Sequence, residues 1–212
     1  MLQLRVTSSG SGAATLLDVA TIAATSRAAQ VAERTGAVLF LTIATAIAAQ
    51  ISIPLPFTPV PFTLQPIVVL IGGAALGARL GASSQLLYLA LGIAGLPVFA
   101  ASPVLPMGAA RLLGPTGGYL MSYPMAAFIA GALAERKFDR RYLTSVVAMA
   151  AGLGVVFMGG VLWLAFVAQP LHGIRGALAA GFYPFVIADA LKVFAAATVM
   201  PTVWRVVGRR PV

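Results

Sequence analysis

The sequence predicts an all-α integral membrane protein with six transmembrane helices and both termini cytoplasmic. Three observations predict it. The 212-residue chain is 60% hydrophobic and only 9% charged, with a mean hydropathy of +0.97, whereas a soluble domain carries roughly 25% charged residues. Its apolar runs are continuous rather than alternating, which favours helices over a membrane barrel. Its Lys and Arg residues gather in one set of loops, as the positive-inside pattern requires.

Composition also excludes functions. The chain has no cysteine, so it has no disulfide framework, thiolate nucleophile or thiolate metal site. Its single histidine, His172, leaves too little for a histidine metal site or a Ser-His triad. No catalytic residue, metal or cofactor is expected. The net charge of +9 is accounted for by loop topology, so no nucleic-acid partner is expected; the partner that composition demands is the lipid bilayer.

Taken in order, residues 1–35 read as a cytoplasmic tail. They hold Ser8-Ser9-Gly10-Ser11-Gly12 and a weakly amphipathic piece, Leu16 to Val31, with no basic-apolar-small signal-peptide pattern. The membrane domain follows at 36–204. Its first span is Gly36 to Ile53, close to the roughly 20 residues a crossing needs. Ala44 and Ala48, four apart, put small residues on one face of it. Such a face lets another helix approach closely, for internal packing or for docking to a different membrane subunit, and the spacing does not choose between them.

Pro54 to Pro66 contains five of the chain's prolines, which rules out a regular helix through the segment. It is expected to be a loop at the membrane edge, a lid or a rigid connector, with Thr58, Thr63 and Gln65 as its hydrogen-bonding side chains. Ile67 to Ala78 and Ala82 to Leu96 are two short apolar runs hinged at Arg79. Gly73, Gly77 and Gly81 recur every four residues as a second close-packing face, and Gln85 and Tyr88 are the polar positions of the second run. Short, glycine-interrupted segments of this kind can mark a binding site.

Pro97 to Gly114 is a loop carrying Arg111. It runs into Leu112–Tyr123, where Gly114, Gly117 and Gly118 permit close backbone approach and Pro115 stiffens the turn. A glycine-rich turn before a helix can hold an anion, but no Gly-Lys-Ser/Thr follows, so it is no phosphate-binding P-loop. Thr116 to Ala134 spans again. Glu135–Arg141 reads as a charged cytoplasmic loop, Tyr142 to Ala168 as the fifth span, Gln169–Gly176 as a short outer loop, and Ala177 to Trp204 as the sixth span. Residues 205–212 are a cytoplasmic tail. With the N-terminus inside, eleven of the fourteen Lys and Arg residues lie inside and only Arg111 and Arg175 outside.

The fourteenth is Lys192, inside the last span with Asp189, which is the one acidic residue in any span. Insertion scales put each at roughly 2.5–3.5 kcal/mol near a helix centre. Three apart, they share a helix face and can pair. The pair either fixes helix packing or lines a ligand cavity, since intramembrane charges usually face one. In a cavity, a carboxylate accepts N–H groups from an amide- or urea-like solute. Lys192 or Arg111 would hold an anionic group, and apolar and aromatic neighbours would clasp an apolar body.

Several segments together resemble the BioY family, the biotin-binding S components of energy-coupling factor (ECF) vitamin transporters. They are the Pro54–Gln65 run with Pro-Phe-Thr-Leu-Gln, Leu76-Gly77-Ala78-Arg79-Leu80-Gly81, Tyr88 to Ala100, Gly114-Pro115-Thr116-Gly117-Gly118-Tyr119 and Asp189-Ala190-Leu191-Lys192. The likeness runs from about Gly36 to Pro201. One departure is the loop after Pro-Val-Phe, usually Gly-rich in that family and here Ala-Ala-Ser-Pro-Val-Leu-Pro-Met-Gly.

The resemblance implies a plasma-membrane protein, not an enzyme, that captures biotin from outside. It implies as partners a transmembrane coupling subunit and a pair of ABC-type ATPases. It favours docking as the use of Ala44 and Ala48. It assigns Asp189 to the ureido N–H groups and Lys192 to the carboxylate, with Arg111 as the competing carboxylate partner and Gln65, Tyr88, Thr116 and Tyr119 as wall residues. An S component for another small vitamin, and a structural membrane protein with a packing ion pair, are the alternatives.

Overall fold

A serine starts the first long helix. Ser26 Oγ accepts the Ala29 N–H at 3.1 Å and caps α2, Arg27–Gln50, so this helix begins well before the span expected at Gly36. The computed structural model describes residues 15–21, 26–101, 106–168 and 173–207. His172, Arg5, Arg209, Arg210 and loop residues 102–105 lie outside the described residues. Ahead of α2 lies the short helix α1, Leu16–Thr21, whose Asp18 carboxylate accepts from the Thr15 amide at 3.0 Å and its hydroxyl at 2.9 Å.

After α2 the proline-rich segment is irregular, as its prolines require. It is pinned at its ends by a two-residue antiparallel pairing of β1 (Ser52–Ile53) with β2 (Phe62–Thr63). Helix α3, Gln65–Leu76, takes in Gln65 and Pro66 because proline is tolerated in a helix's first turn. Gly77 then breaks the chain at φ +85°, and α4, Ala78–Ile93, begins at once. The hinge is therefore Gly77 and not Arg79: the left-handed backbone angle needs a residue without a Cβ, and Arg79 is ordinary helix.

This break also reassigns the glycine repeat. Gly73 and Gly81 do not lie on one helix face; they meet across the hinge, a Cβ on Gly81 falling 2.8 Å from the Gly73 Cα. A Cβ on Gly73 would come within 2.8 Å of the Ala127 Cα. Ala127 belongs to α6, Gly117–Glu135, which follows the short α5, Ala110–Leu113. α6 is the central helix, packed by α3, α4 and α7 (Tyr142–Phe166). Its Ala126, Ala127 and Ala130 are fully buried, the small residues that let membrane helices close on one another by van der Waals packing.

The last expected span is broken. It consists of α8 (Gly173–Gly181), α9 (Tyr183–Ala196) and α10 (Val199–Val207). Pro184 lies in the first turn of α9 and removes a donor there. Arg27–Gln50, Tyr142–Phe166 and Tyr183–Val207 are long and apolar enough to cross a bilayer, and Gln65–Leu76 is a shorter apolar helix.

Side-chain contacts sort the helix ends into two groups. The Ala78 N–H donates to Glu135 Oε1 at 2.8 Å, joining the α3–α4 hinge to the end of α6. Trp204 Nε1 on α10 donates to Asp139 at 2.5 Å, in the 3₁₀ turn Phe138–Arg140, and the Arg140 guanidinium lies 3.2 Å over the Trp204 ring. Burial raises the Asp139 carboxyl above its ordinary range, and the Trp204 and Arg140 contacts hold it back. At the opposite end, Gln50 Nε2 reaches the carbonyls of Pro97 at 3.3 Å and Phe99 at 3.2 Å, tying the end of α2 to the loop after α4.

Candidate functional site

The site lies at this second end. The Pro54–Thr63 loop is held over it by Thr58 Oγ1, which donates to the Ala180 carbonyl at 2.6 Å. Beneath the loop is a pocket whose space, its open mouth included, amounts to about 610 Å³. Of the seven binding residues expected from sequence, six line it: Gln65, Arg111, Thr116, Tyr119, Asp189 and Lys192. They come from α3, α5, the turn before α6, α6 itself and α9.

Asp189 and Lys192 pair as their spacing predicts, Nζ to Oδ1 at 2.6 Å. Lys192 Nζ also donates to the Thr63 carbonyl at 2.9 Å and sits 3.3 Å over the Phe62 ring. Two of the ammonium's three N–H donors go to these protein oxygens, and the Phe62 ring lies against the same nitrogen. The pair thus joins α9 to the loop that roofs the pocket.

Arg111 is 3% exposed. Its Nε donates to the Pro106 carbonyl at 2.8 Å and its Nη2 to the Ala100 carbonyl at 2.9 Å. Burial lowers its guanidinium from the ordinary value, which is so high that the group stays charged. It also lines a second, outer cleft with Gln50, Pro97 and Met107.

Tyr88 is the exception. It is fully buried and does not line the pocket. Its hydroxyl accepts from Gln65 Nε2 at 2.7 Å and donates to the Val98 carbonyl at 3.0 Å, and its ring meets Phe99 edge to face at 5.5 Å. Tyr88 therefore orients Gln65 and the Phe99 wall. The Tyr119 hydroxyl donates to the Gly181 carbonyl at 2.7 Å, bracing α6 against α8. The Thr116 hydroxyl is buried with no hydrogen-bond partner among the described residues, leaving it available to a ligand.

The glycine turn is a packing device. A Cβ on Gly118 would strike Trp163, and one on Gly117 would lie 2.7 Å from the Leu112 carbonyl carbon. Trp163 Nε1 donates to the Gly114 carbonyl at 3.0 Å. What the sequence contributes to the pocket here is Thr116, not an anion-binding backbone loop.

Sequence reasoning expected aromatic neighbours around a ligand but did not single out Phe99, Tyr123, Phe157 and Phe185, which line the pocket. In an apolar run an aromatic residue carries no mark of which way it faces. Of the docking pair, Ala44 is half-buried and Ala48 is 5% exposed, covered by the chain's own residues. The outward face of α2 instead carries Phe40, Ile43 and Ile47, all exposed.

Comparisons with known proteins agree with one another on a family. The BioY family pattern matches residues 20–209. The biotin transporter BioY of Thermotoga maritima is 43% identical over 69% of this chain and 82% of its own length. The probable biotin transporter BioY of Pyrococcus horikoshii is 44% identical over 70% of this chain and 82% of its own. Among solved structures, the S-component for biotin from an ECF-type ABC transporter superposes with a TM-score of 0.74 at 26% identity, over 86% of this chain and 95% of the other. With its family pattern covering nearly the whole chain, this protein belongs to the BioY family.

Proposed function

We propose that this chain is the biotin-binding S component of an ECF-type transporter, taking up biotin with a coupling subunit and ABC-type ATPases and catalysing no reaction itself. The observation that carries the reading is the Asp189–Lys192 pair, held at 2.6 Å in the wall of an aromatic-lined pocket. An apolar clasp with a few converging polar groups suits a solute with an apolar body and polar ends. Asp189 receives the ureido N–H groups, its second carboxylate oxygen being the acceptor that Lys192 does not occupy. Lys192 holds the ligand carboxylate, with Arg111 as the competing partner. Gln65, Thr116 and Tyr119 form polar points of the wall, and Tyr88 supports it.

Six spans follow: α2, α3, α4, α6, α7 and the broken α8–α10. Both termini are then cytoplasmic, and the pocket faces outward. The pairing of Ala78 with Glu135 and of Trp204 with Asp139 supports this arrangement, since it gathers the ends bearing Arg79, Arg136, Lys137 and Arg141. The outward face of α2, with Ala44, is the surface offered to the coupling subunit. Because the chain has no cysteine, Phe57→Cys and Lys137→Cys report sidedness. A membrane-impermeant maleimide applied to intact cells should label the first and spare the second; the reverse pattern would invert the topology.

Calorimetry on the purified, detergent-solubilised chain tests the function. Tight, saturable binding of biotin without ATP is expected, with desthiobiotin competing and thiamine and riboflavin failing to compete. Competition by either of the latter would assign another vitamin. No binding by a well-folded chain would return the ion pair to a packing role.

A further inference from the structure

One wall of the pocket is shared with clefts on the surface of the helix bundle. Phe157, on α7, lines the ligand pocket and also lines two clefts on the outer surface between α7 and the α8–α9 segment. These clefts share Gly154, Phe157 and Phe182, so they meet at that point. Every side chain lining them is apolar. Along α7 they run from Val146 to Leu162, about 24 Å at 1.5 Å per residue, which is most of a hydrocarbon core of about 30 Å. Met158 and Leu162 on their rim are exposed. A Cβ on Gly154 would meet nothing within 4 Å, so the groove floor is open there. An uncharged groove of this length on a membrane-spanning helix takes lipid hydrocarbon chains.

Among the described residues, Phe157 is the one side chain that lines both the ligand pocket and these clefts. Phe157 is 8% exposed and is backed by Phe182, edge to face at 4.9 Å. Phe182 sits at the break between α8 and α9, so the backing ring comes from a point where the helix is interrupted. We propose that Phe157 is the partition between the ligand pocket and the bilayer: it keeps hydrocarbon chains out of the pocket and sets the limit on apolar bulk in the ligand at that wall.

This rests on the pocket being the biotin site, and two measurements keep the claims apart. The first is biotin affinity of the wild type, Phe157→Leu and Phe157→Ala in maltoside detergents of increasing alkyl length and concentration. Wild-type affinity should not depend on the detergent. Phe157→Ala should lose about tenfold in affinity, and the loss should grow with detergent concentration as competition does. Phe157→Leu should fall between. A Phe157→Ala protein with wild-type affinity, or with a loss that ignores the detergent, overturns the partition.

The second measurement needs no biotin. A trifluoromethyl label on Thr116→Cys reports from inside the pocket, and lipid-dissolved oxygen should relax its fluorine signal faster in Phe157→Ala than with Phe157 present. Equal relaxation in two variants of matching thermal stability overturns the proposal, even if the wild type binds no biotin. Faster relaxation in a chain that binds no biotin would sustain the partition and sink the biotin reading alone.

Discussion

Lys192→Ala weakens biotin binding by tens- to thousands-fold and destabilises the unliganded protein, while Asp189→Asn/Lys192→Met recovers the stability and not the binding. Removing Lys192 leaves a carboxylate that is 7% exposed without its partner at 2.6 Å. An orphaned buried charge of this kind costs about 3–5 kcal/mol, whereas replacing both partners by groups of similar volume is often neutral. The lysine also loses its bond to the Thr63 carbonyl, so the roofing loop is released along with the charge. Truncating one member of a buried, hydrogen-bonded charge pair at an interface costs about 2–5 kcal/mol in binding, the basis of the expected loss. Thermal unfolding and calorimetry on the same three proteins separate the roles. A double variant that binds biotin like the wild type would make the pair a packing device.

The ion pair was legible because a charge in an apolar run is conspicuous, and three-residue spacing on a helix has one geometric meaning. Similar reasoning marked Arg111 and the hydrogen-bonding Gln65, whereas Thr116 and Tyr119 entered only through the resemblance to the BioY family. Tyr88 was misplaced, because a buried hydroxyl satisfied by Gln65 and the Val98 carbonyl looks from sequence like one facing a ligand. The helical bundle was legible from continuous hydrophobicity, but the joints were not. The hinge at Gly77 rests on a φ of +85°, and nothing in a regular Gly73-Gly77-Gly81 spacing says which glycine leaves the helix. The division of the last span into α8, α9 and α10 was similarly hidden, since Phe182 and Ala197 are as apolar as their neighbours. Phe157 was invisible for the complementary reason: its importance lies in what is on its two sides, which only the folded chain supplies.

Arg111→Leu should weaken biotin and its neutral carboxamide by the same factor, while Lys192→Gln should erase the preference for the carboxylate. The difference follows from what each cation already holds. Arg111 has two of its nitrogens committed to the carbonyls of Pro106 and Ala100, and Ala100 is itself buried pocket wall. Removing the guanidinium strands those acceptors at about 1–3 kcal/mol for each buried group left unsatisfied, so the loop from Phe99 onward loosens and both ligands suffer alike. Lys192 lines the pocket beside Asp189, and a charge-assisted bond from it distinguishes an anion from an amide by roughly 1.5–3 kcal/mol. The readout is a double-mutant cycle in which the second change is made on the ligand. Residue and carboxylate are coupled only where losing one makes loss of the other harmless. A cycle that couples Arg111 with the carboxylate, and leaves Lys192 uncoupled, would move the anion site from the last helix to α5. Asp189 would then be the acceptor that the lysine merely positions.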